Sequence, residues 1–566
     1  MSYNSNTIVT NTPTNKKPRS KIDFGWVKNH SSSMHGRLTP NFIMPVYPGD
    51  TFNMKDFRAF CRSDKSVVVP LDDIYFDQFF FFVPFRILDN SFKKMLGDKD
   101  PYDTTIYEAK QIKISLSCDT SNDEVFLNYL PFYLGYTWDS LDSAVYNSSS
   151  DPVVFDHVCA YPLMAYWCIW NNFFRDENLD ASIDFSSILS SVEDFLVGDD
   201  LSTLSSLDNY YLAPMKVNKL HDALTSGLTS PQKSPDGNPV TLFLGASAPV
   251  YVEGPSDLTS SESITNIDLG IAATAADGKK SKTFTKGGSA LAANQLKAYA
   301  DLSEATAVDV NALRLAFSIQ SLYEAKSRYG SRYIEYLRGI WSVVAPDIML
   351  DRPEYLGGMR TTLNNIPVLG TATNLGEFSG YSATLMSGGT FEKTFLEYGY
   401  VIGLHVCRVK HEYPQGKDTN IWNLKTELDL YNPKLAEIGY QGYSKSLIFN
   451  NPILGTDDSI FNYNEAWMLE RAKLNRASGV FSPMLSSAFA SFRTYWCYAD
   501  FYSTTPTFNA DWLKEDVSNV KRTLSGSVIP QTADYSHQYI WDFRFHPVVT
   551  RIIPVYSVPA QLGGRW

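Results

Sequence analysis

Cysteine is too sparse in this chain to build a framework: there are six in 566 residues, and no Cys-x-x-Cys pair. A disulfide scaffold is excluded, and reduced, buried thiols are expected. The N-terminus lacks a charged start followed by an apolar run, so no secretory signal is evident. The longest apolar stretch, Val158 to Trp170, contains Pro162 and is too short to span a bilayer. The expectation is a soluble protein, without membrane insertion, made in a reducing cytoplasm. No Pro/Gly/Ser linker separates regions of different character and no internal repeat is visible, so one core with long insertions fits as well as several domains. Phosphate-binding glycine loops, nucleophile elbows and paired-histidine metalloprotease helices are all missing. Carboxylate pairs are too numerous to single out for glycosidase work. Nothing demands an enzyme or a cofactor.

Charge is low as well, at 19%, against roughly 25% in ordinary soluble domains. Aromatic residues take its place, with 34 Tyr, 34 Phe and 11 Trp. Such a balance suits either a large aromatic core or extensive subunit contacts. The densest aromatic run is Ile74 to Arg86, with Phe76, Phe79, Phe80, Phe81 and Phe82 ahead of Pro84 and Phe85. Read as a strand, it points Phe76, Phe80 and Phe82 to one face and Phe79, Phe81 and Val83 to the other. Both faces must be covered: a second sheet beneath, and an insertion or a neighbouring subunit above. Pro84 removes a ladder donor and closes the strand.

Two further strands are legible. In residues 51–61, Phe52 and Met54 share one parity and Phe57, Ala59 and Cys61 the other, so a bulge is expected at Lys55-Asp56. Near the C-terminus Tyr539, Trp541, Phe543 and Phe545 alternate with Asp542, Arg544 and His546, a half-buried strand. Strands at both ends with helices and loops between them predict a mainly β fold, an eight-stranded antiparallel jelly-roll sandwich with long helix- and loop-containing insertions. Its expected core includes Phe76, Phe79, Phe80, Phe81, Phe82, Trp541 and Phe543.

The domain reading is a basic arm over residues 1–40 and a single domain over 41–566. The arm holds Lys16, Lys17, Arg19, Lys21, Lys28 and Arg37 against Asp23, a balance of +5; the whole chain is −12, which leaves −17 for the remainder. Lys16, Lys17, Arg19 and Lys21 are the candidate nucleic-acid contacts, the alternative being a merely solvated tail. Within 41–566, residues 235–298 are rich in Ser, Thr, Ala, Gly and Asp and read as a long exposed insertion. Residues 300–345 read as a helical insertion. From Ala307 to Arg328, Leu313, Ala316, Phe317 and Gln320 line one stripe and Leu315, Ile319, Leu322 and Tyr323 a neighbouring one, with Gly330 as the stop. A packed helix is expected there, not a surface one.

Two weak metal patterns appear. His157/Cys159 and His405/Cys407 each place nitrogen and sulfur two residues apart, and two such pairs suit tetrahedral zinc, but both lie in apolar surroundings that favour plain packing. Asp119 to Glu124 begins like a calcium loop but has Glu124 where that loop needs glycine, so a polar turn is expected.

A series of motifs remains. Met34-His35-Gly36-Arg37-Leu38-Thr39-Pro40 leads through Tyr47-Pro48-Gly49-Asp50 to the phenylalanine strand. Then come Tyr161-Pro162-Leu163-Met164, Phe174-Arg175-Asp176-Glu177-Asn178, Leu313-Arg314 with Ala316-Phe317, and Arg352-Pro353-Glu354-Tyr355-Leu356-Gly357-Gly358. Phe461, Tyr463, Glu465 and Trp467 follow, then Pro554 to Pro559. The ordered series resembles the major capsid proteins of the Microviridae, small single-stranded DNA bacteriophages, especially their gokushovirus-like branch. Around Asp222 to Lys233 the chain departs from that pattern and lacks its aromatics. The resemblance implies a subunit that forms pentamers and a small T=1-like icosahedral shell with copies of itself around a circular single-stranded DNA genome, assembled in the host bacterial cytoplasm and resident in the virion. It further implies a small basic packaging protein, minor virion proteins and a host surface receptor as partners, with residues 235–298 as a surface protrusion. The rival from another class is a β-sandwich carbohydrate-binding or carbohydrate-active protein, which leaves the ordered motifs unexplained.

Overall fold

The computed structural model describes residues 19–63, 73–98, 100, 102–116, 130–136, 153–184, 213–230, 250–253, 285–286, 289–290, 297–300, 310–330, 333–344, 346, 351–366, 381–450, 458–476, 502–521, 524 and 537–553. The chain divides into two compact units, one of residues 1–231 with 344–566 and one of 232–343. In chain order the strands of the first half are β1 (Ser20–Asp23), β2 (Val27–Ser33), β3 (Thr39–Val46), β4 (Thr51–Ser63), β5 (Ile74–Pro84), β6 (Gln111–Leu116) and β7 (Val153–Cys159). The smaller unit holds β8 (Val250–Glu253), β9 (Thr285–Lys286), β10 (Ser289–Ala290) and β11 (Lys297–Ala300). The remainder are β12 (Glu354–Thr362), β13 (Asn365–Ile366), β14 (Tyr381–Ser387), β15 (Phe391–Thr394), β16 (Gly399–Val409), β17 (Tyr440–Ser444), β18 (Ile460–Glu465) and β19 (Tyr539–Arg551).

Two antiparallel sheets make the body of the larger unit. One has seven strands, ordered β1-β19-β4-β14-β13 with β15 on β4 and β2 on β19; the other has four, ordered β12-β5-β16-β3. Among the described residues the two sheets hold eleven strands, several of them short strands at the edges of the larger sheet. Between them lies one apolar cluster: Phe52, Met54, Phe57, Ala59 and Cys61 of β4 and Trp541, Phe543 and Phe545 of β19 meet Phe76, Phe80 and Phe82 of β5 and Val401 and Cys407 of β16. Period-two burial on β4 and β19 puts these side chains on one face. The bulge falls as expected: His546 pairs with Asp56 and Pro547 with Met54, leaving Lys55 as the extra residue.

The phenylalanine strand β5 is buried on both sides. Its second face packs under α1 (Tyr161–Ile169) and the π-helical turn Trp170–Phe174 that follows, in a second cluster with Phe81, Val83, Leu163, Met164, Trp167, Ile402 and Leu404. An insertion of the chain itself thus supplies the expected cover. Pro162 lies in the first turn of α1, where its missing N–H removes no helical bond. Arg175 N donates to Trp170 O at 3.0 Å, the wide π spacing, and the ring centroids of Phe174 and Phe79 lie 5.3 Å apart and those of Phe173 and Phe81 4.8 Å.

Residues 20–33, placed in the arm by sequence, form β1 and β2 and pair antiparallel with β19. Alternation across β19 outweighs the polar composition of that stretch. In the smaller unit, α2 (Val310–Tyr329) ends at Gly330, whose φ of +94° is the left-handed stop that the sequence suggests; α3 (Tyr333–Trp341) follows. In the single chain Leu315 is exposed and Phe317 is 67% exposed. An apolar stripe says that a helix seeks cover and does not say which chain provides it.

Candidate functional site

Residues far apart in sequence meet in a buried ionic cluster. The segment Met34 to Pro40 turns at Gly36, whose φ of +72° suits glycine and where a Cβ would come within 2.9 Å of the Glu515 side chain. That turn places His35 against Tyr539 and Glu515. His35 Nδ1 lies 3.1 Å from Tyr539 Oη, His35 Nε2 lies 3.2 Å from Glu515 Oε1, and His411 Nε2 lies 2.9 Å from Glu515 Oε2. All three side chains of the His35–Glu515–His411 bridge are fully buried. Burial alone raises a carboxyl pKa, but His411 and His35 at the two oxygens outweigh it and hold Glu515 well below the usual carboxylate range. Backbone bonds secure the frame: Gly36 N donates to Cys407 O, Val217 N to Gly36 O and Glu515 N to Val217 O.

A second buried charge sits on β5. Asp77 accepts from Arg360 Nε at 2.5 Å and Nη2 at 3.0 Å, from Arg408 Nε at 3.1 Å, and again from Arg408 Nη2. Neighbouring Gln78 exchanges amide bonds with Asn41 on β3, at 2.7 and 3.3 Å, across the intervening strand β16. Gly403 of β16 makes this possible, because a Cβ there would lie 2.7 Å from Asn41 Oδ1. These contacts bind strands to one another and expose no reactive group.

Of the core residues named from sequence, Phe76, Phe80, Phe81, Phe82, Trp541 and Phe543 are buried and Phe79 is partly so. Of the arm candidates, Lys16 and Lys17 lie outside the described residues; Arg19 is exposed, and Lys21 is exposed on β1. Asp119 to Glu124 also lies outside them, as does the side chain of His157. Cys159 is exposed, while His405 and Cys407 are buried in the sandwich. No group of three or more His, Cys, Asp or Glu among the described residues is arranged to hold a metal ion.

The His405 ring instead packs among Phe76, Trp541 and Phe543 at centroid distances of 6.0, 5.3 and 4.9 Å. Burial lowers its pKa from 6.5 to about 3, so the folded protein holds it neutral. The unfolded chain binds this proton first as the solution is acidified, and stability drains away as pH falls from 6.5 toward 3. A His405→Leu variant should show a shallower loss of melting temperature between about pH 6 and about pH 4 than its parent, as thermal melts at each pH would record. Parallel profiles would remove His405 from the acid response.

A cleft of about 310 Å³ is lined by Asp222, Ser226, Glu465, Met468 and Arg471 among others. Both carboxylates in it are committed: Asp222 accepts from the Tyr413 hydroxyl at 2.7 Å and from the Leu224 and Thr225 amides at 2.8 Å, while Glu465 pairs with Arg471. Here the segment that departs from the family pattern is held by Leu224, buried in a third apolar cluster. Elsewhere on the larger unit, a run of large apolar side chains faces solvent between residues 421 and 438: Ile421, Trp422 at 76% exposure, Leu428, Leu430, Tyr431 and Ile438. Single exposed apolar residues are ordinary; a run of them is not.

The chain matches the model of the family described as "Capsid protein (F protein)" over residues 10–561. It is 29% identical to capsid protein VP1 of Spiroplasma virus 4, over 96% of either chain. It is also 29% identical to capsid protein VP1 of Bdellovibrio phage phiMH2K, over 93% of this chain and 92% of that one. Capsid protein VP1 of Chlamydia phage 1 is 26% identical over 92% of each.

Proposed function

The chain belongs to the phage capsid protein (F protein) family and is a main capsid subunit, and from that premise we propose that its copies close into a small T=1-like icosahedral shell around a circular single-stranded DNA genome. The observation that supports this reading is the match of residues 10–561 to that family. The body suits a wall: two sheets share an aromatic core, and that core is braced by buried charges that bind strands and perform no chemistry. The sandwich is read as a jelly roll whose connections have grown, with the exposed apolar run at 421–438 meeting other copies. Assembly would take place in the host bacterial cytoplasm.

The insertion over 235–298 is assigned to the outer, host-facing surface and a role in attachment to a surface receptor. The arm residues Lys16, Lys17, Arg19 and Lys21 are assigned to the genome, alongside a small basic packaging protein. Electron microscopy of the purified chain should show closed shells, and a stable monomer at high concentration would overturn the shell. In particles, changing the four basic residues to Ala should lower DNA content without blocking assembly. Their engagement would add a salt slope of about −2.8, taking roughly −0.7 per phosphate on single strands. Unchanged DNA content would make the arm a solvated tail.

A further inference from the structure

The two sheets of the larger unit differ in what covers their outer faces. That of the four-stranded sheet is buried under α1 and its neighbours. That of the seven-stranded sheet is exposed, and its side chains follow from the register. Opposite one another across β2, β19 and β4 stand Lys28, Arg544 and Arg58; in the next row outward-pointing residues are His30, Asp542 and Phe60, joined by Leu385 of β14. Arg62 lies one row further, and Lys21 of β1 lies beyond the bulge.

Three cations abreast on neighbouring strands repel one another, an arrangement that costs stability unless an anion lies over them. Arg544 and Arg58 each share a carboxylate on their own strand, Asp542 at 3.1 Å and Asp56 at 2.8 Å, yet remain 46% and 52% exposed. Lys28 and Lys55 reach carboxylates only through space, Lys28 acting on Asp542 and Lys55 on Asp23, and make no ion pair among the described residues. In all, Lys21, Lys28, Lys55, Arg58, Arg62 and Arg544 stand against Asp23, Asp56, Asp542 and Glu392, a local excess of cations on a chain whose net charge is −12. Aromatic rings are interleaved with them. Trp26 is 43% exposed, with the Arg58 guanidinium 4.8 Å from its ring centroid and the His546 ring at 5.2 Å. The Arg62 guanidinium lies 4.9 Å over Phe60.

We propose that this face binds single-stranded nucleic acid, with the Lys28–Arg544–Arg58 row taking successive phosphates and Trp26 stacking a base. Cations that track a backbone beside exposed rings are what sequence-independent single-strand binding requires, because every base has a face to stack. A bare face of cations alone would suit any polyanion; the exposed indole adds the preference for bases. The inference rests on the capsid reading and makes this face the genome side of the wall.

The test uses the full-length subunit before assembly and a labelled oligothymidylate, titrated over a range of salt. The triple variant Lys28→Gln, Arg58→Gln, Arg544→Gln should lower the magnitude of the salt slope by about 2, at roughly 0.7 per phosphate. Trp26→Ala should weaken oligothymidylate binding about tenfold, within the range for a lost base stack, and leave binding of polyglutamate unchanged. Should the triple variant fold poorly, Arg544→Gln alone should reduce the slope by about 0.7. An unchanged slope overturns the proposal, as does equal affinity for oligothymidylate and polyglutamate with no effect of Trp26, which would assign the face to an acidic protein surface. Shells that form normally from a subunit that does not bind oligothymidylate remove this site and leave the capsid reading standing; failure of the parent to form shells removes that reading itself.

Discussion

Phe80→Ala should destabilise the subunit by about 3 to 5 kcal/mol, the range for deleting a buried aromatic ring. Phe80 is fully buried at the centre of the sandwich, with Phe391, Phe57 and Phe545 at centroid distances of 5.3, 5.8 and 6.4 Å. Its neighbours come from three other strands, two of them spanning the larger sheet, so none can move into the void without unseating the rest. Interiors this densely packed relax little. Total stabilities run at about 5 to 15 kcal/mol, so the loss is a large share of what holds the fold. Urea unfolding of parent and variant would measure it, and an unchanged midpoint would show that the sheets do not depend on this strand.

Glu515→Gln should cost a similar amount, about 3 to 5 kcal/mol, as expected when one partner of a buried ionic contact is removed. The amide cannot accept from both His35 and His411 with the strength of a carboxylate, and neither ring can turn to water. The parent should also be acid-sensitive through this residue. Its folded pKa is depressed below the ordinary 4.5, so the stabilisation is present above that value and is lost as pH falls below it toward the folded pKa. Unfolding midpoints across that range should decline more steeply in the parent than in Glu515→Gln. If the two decline in parallel, the His35–Glu515–His411 bridge contributes nothing to the acid response.

The contrast between these two residues marks what a sequence discloses. Phe80 sits in a strand whose alternation names both faces, and the parity switch at Lys55 announced its bulge, because period and shape are local properties. The motif series supplied the family. Nothing local joins His35, His411 and Glu515: they lie on three separate segments and converge only when Gly36 turns the chain and β19 brings Tyr539 alongside. The stripe on α2 was legible and its packing was not, since exposure of Phe317 depends on which chain covers it. On the larger sheet the alternation of Asp542, Arg544 and His546 was visible, but Lys28 and Arg58 joined the row only once the pairing of β2 and β4 with β19 was known.

That pairing governs the order of events during synthesis. β19 lies between β4 and the strands β1 and β2, and Trp541 Nε1 donates to Ser33 Oγ across 508 residues of sequence. Residues 20–63 leave the ribosome first, yet the aromatic face of β4 has no partner strand on that side until residues 539–551 follow. Folding dominated by such distant contacts is slow, and a waiting apolar edge is open to wrong pairings. Completion of translation is therefore a checkpoint: a nascent or truncated chain lacks the central strand of its larger sheet and presents no finished surface to other copies. A chain cut short of residue 539 lacks that strand and leaves β1 and β2 on one side and β4 on the other with nothing to join them.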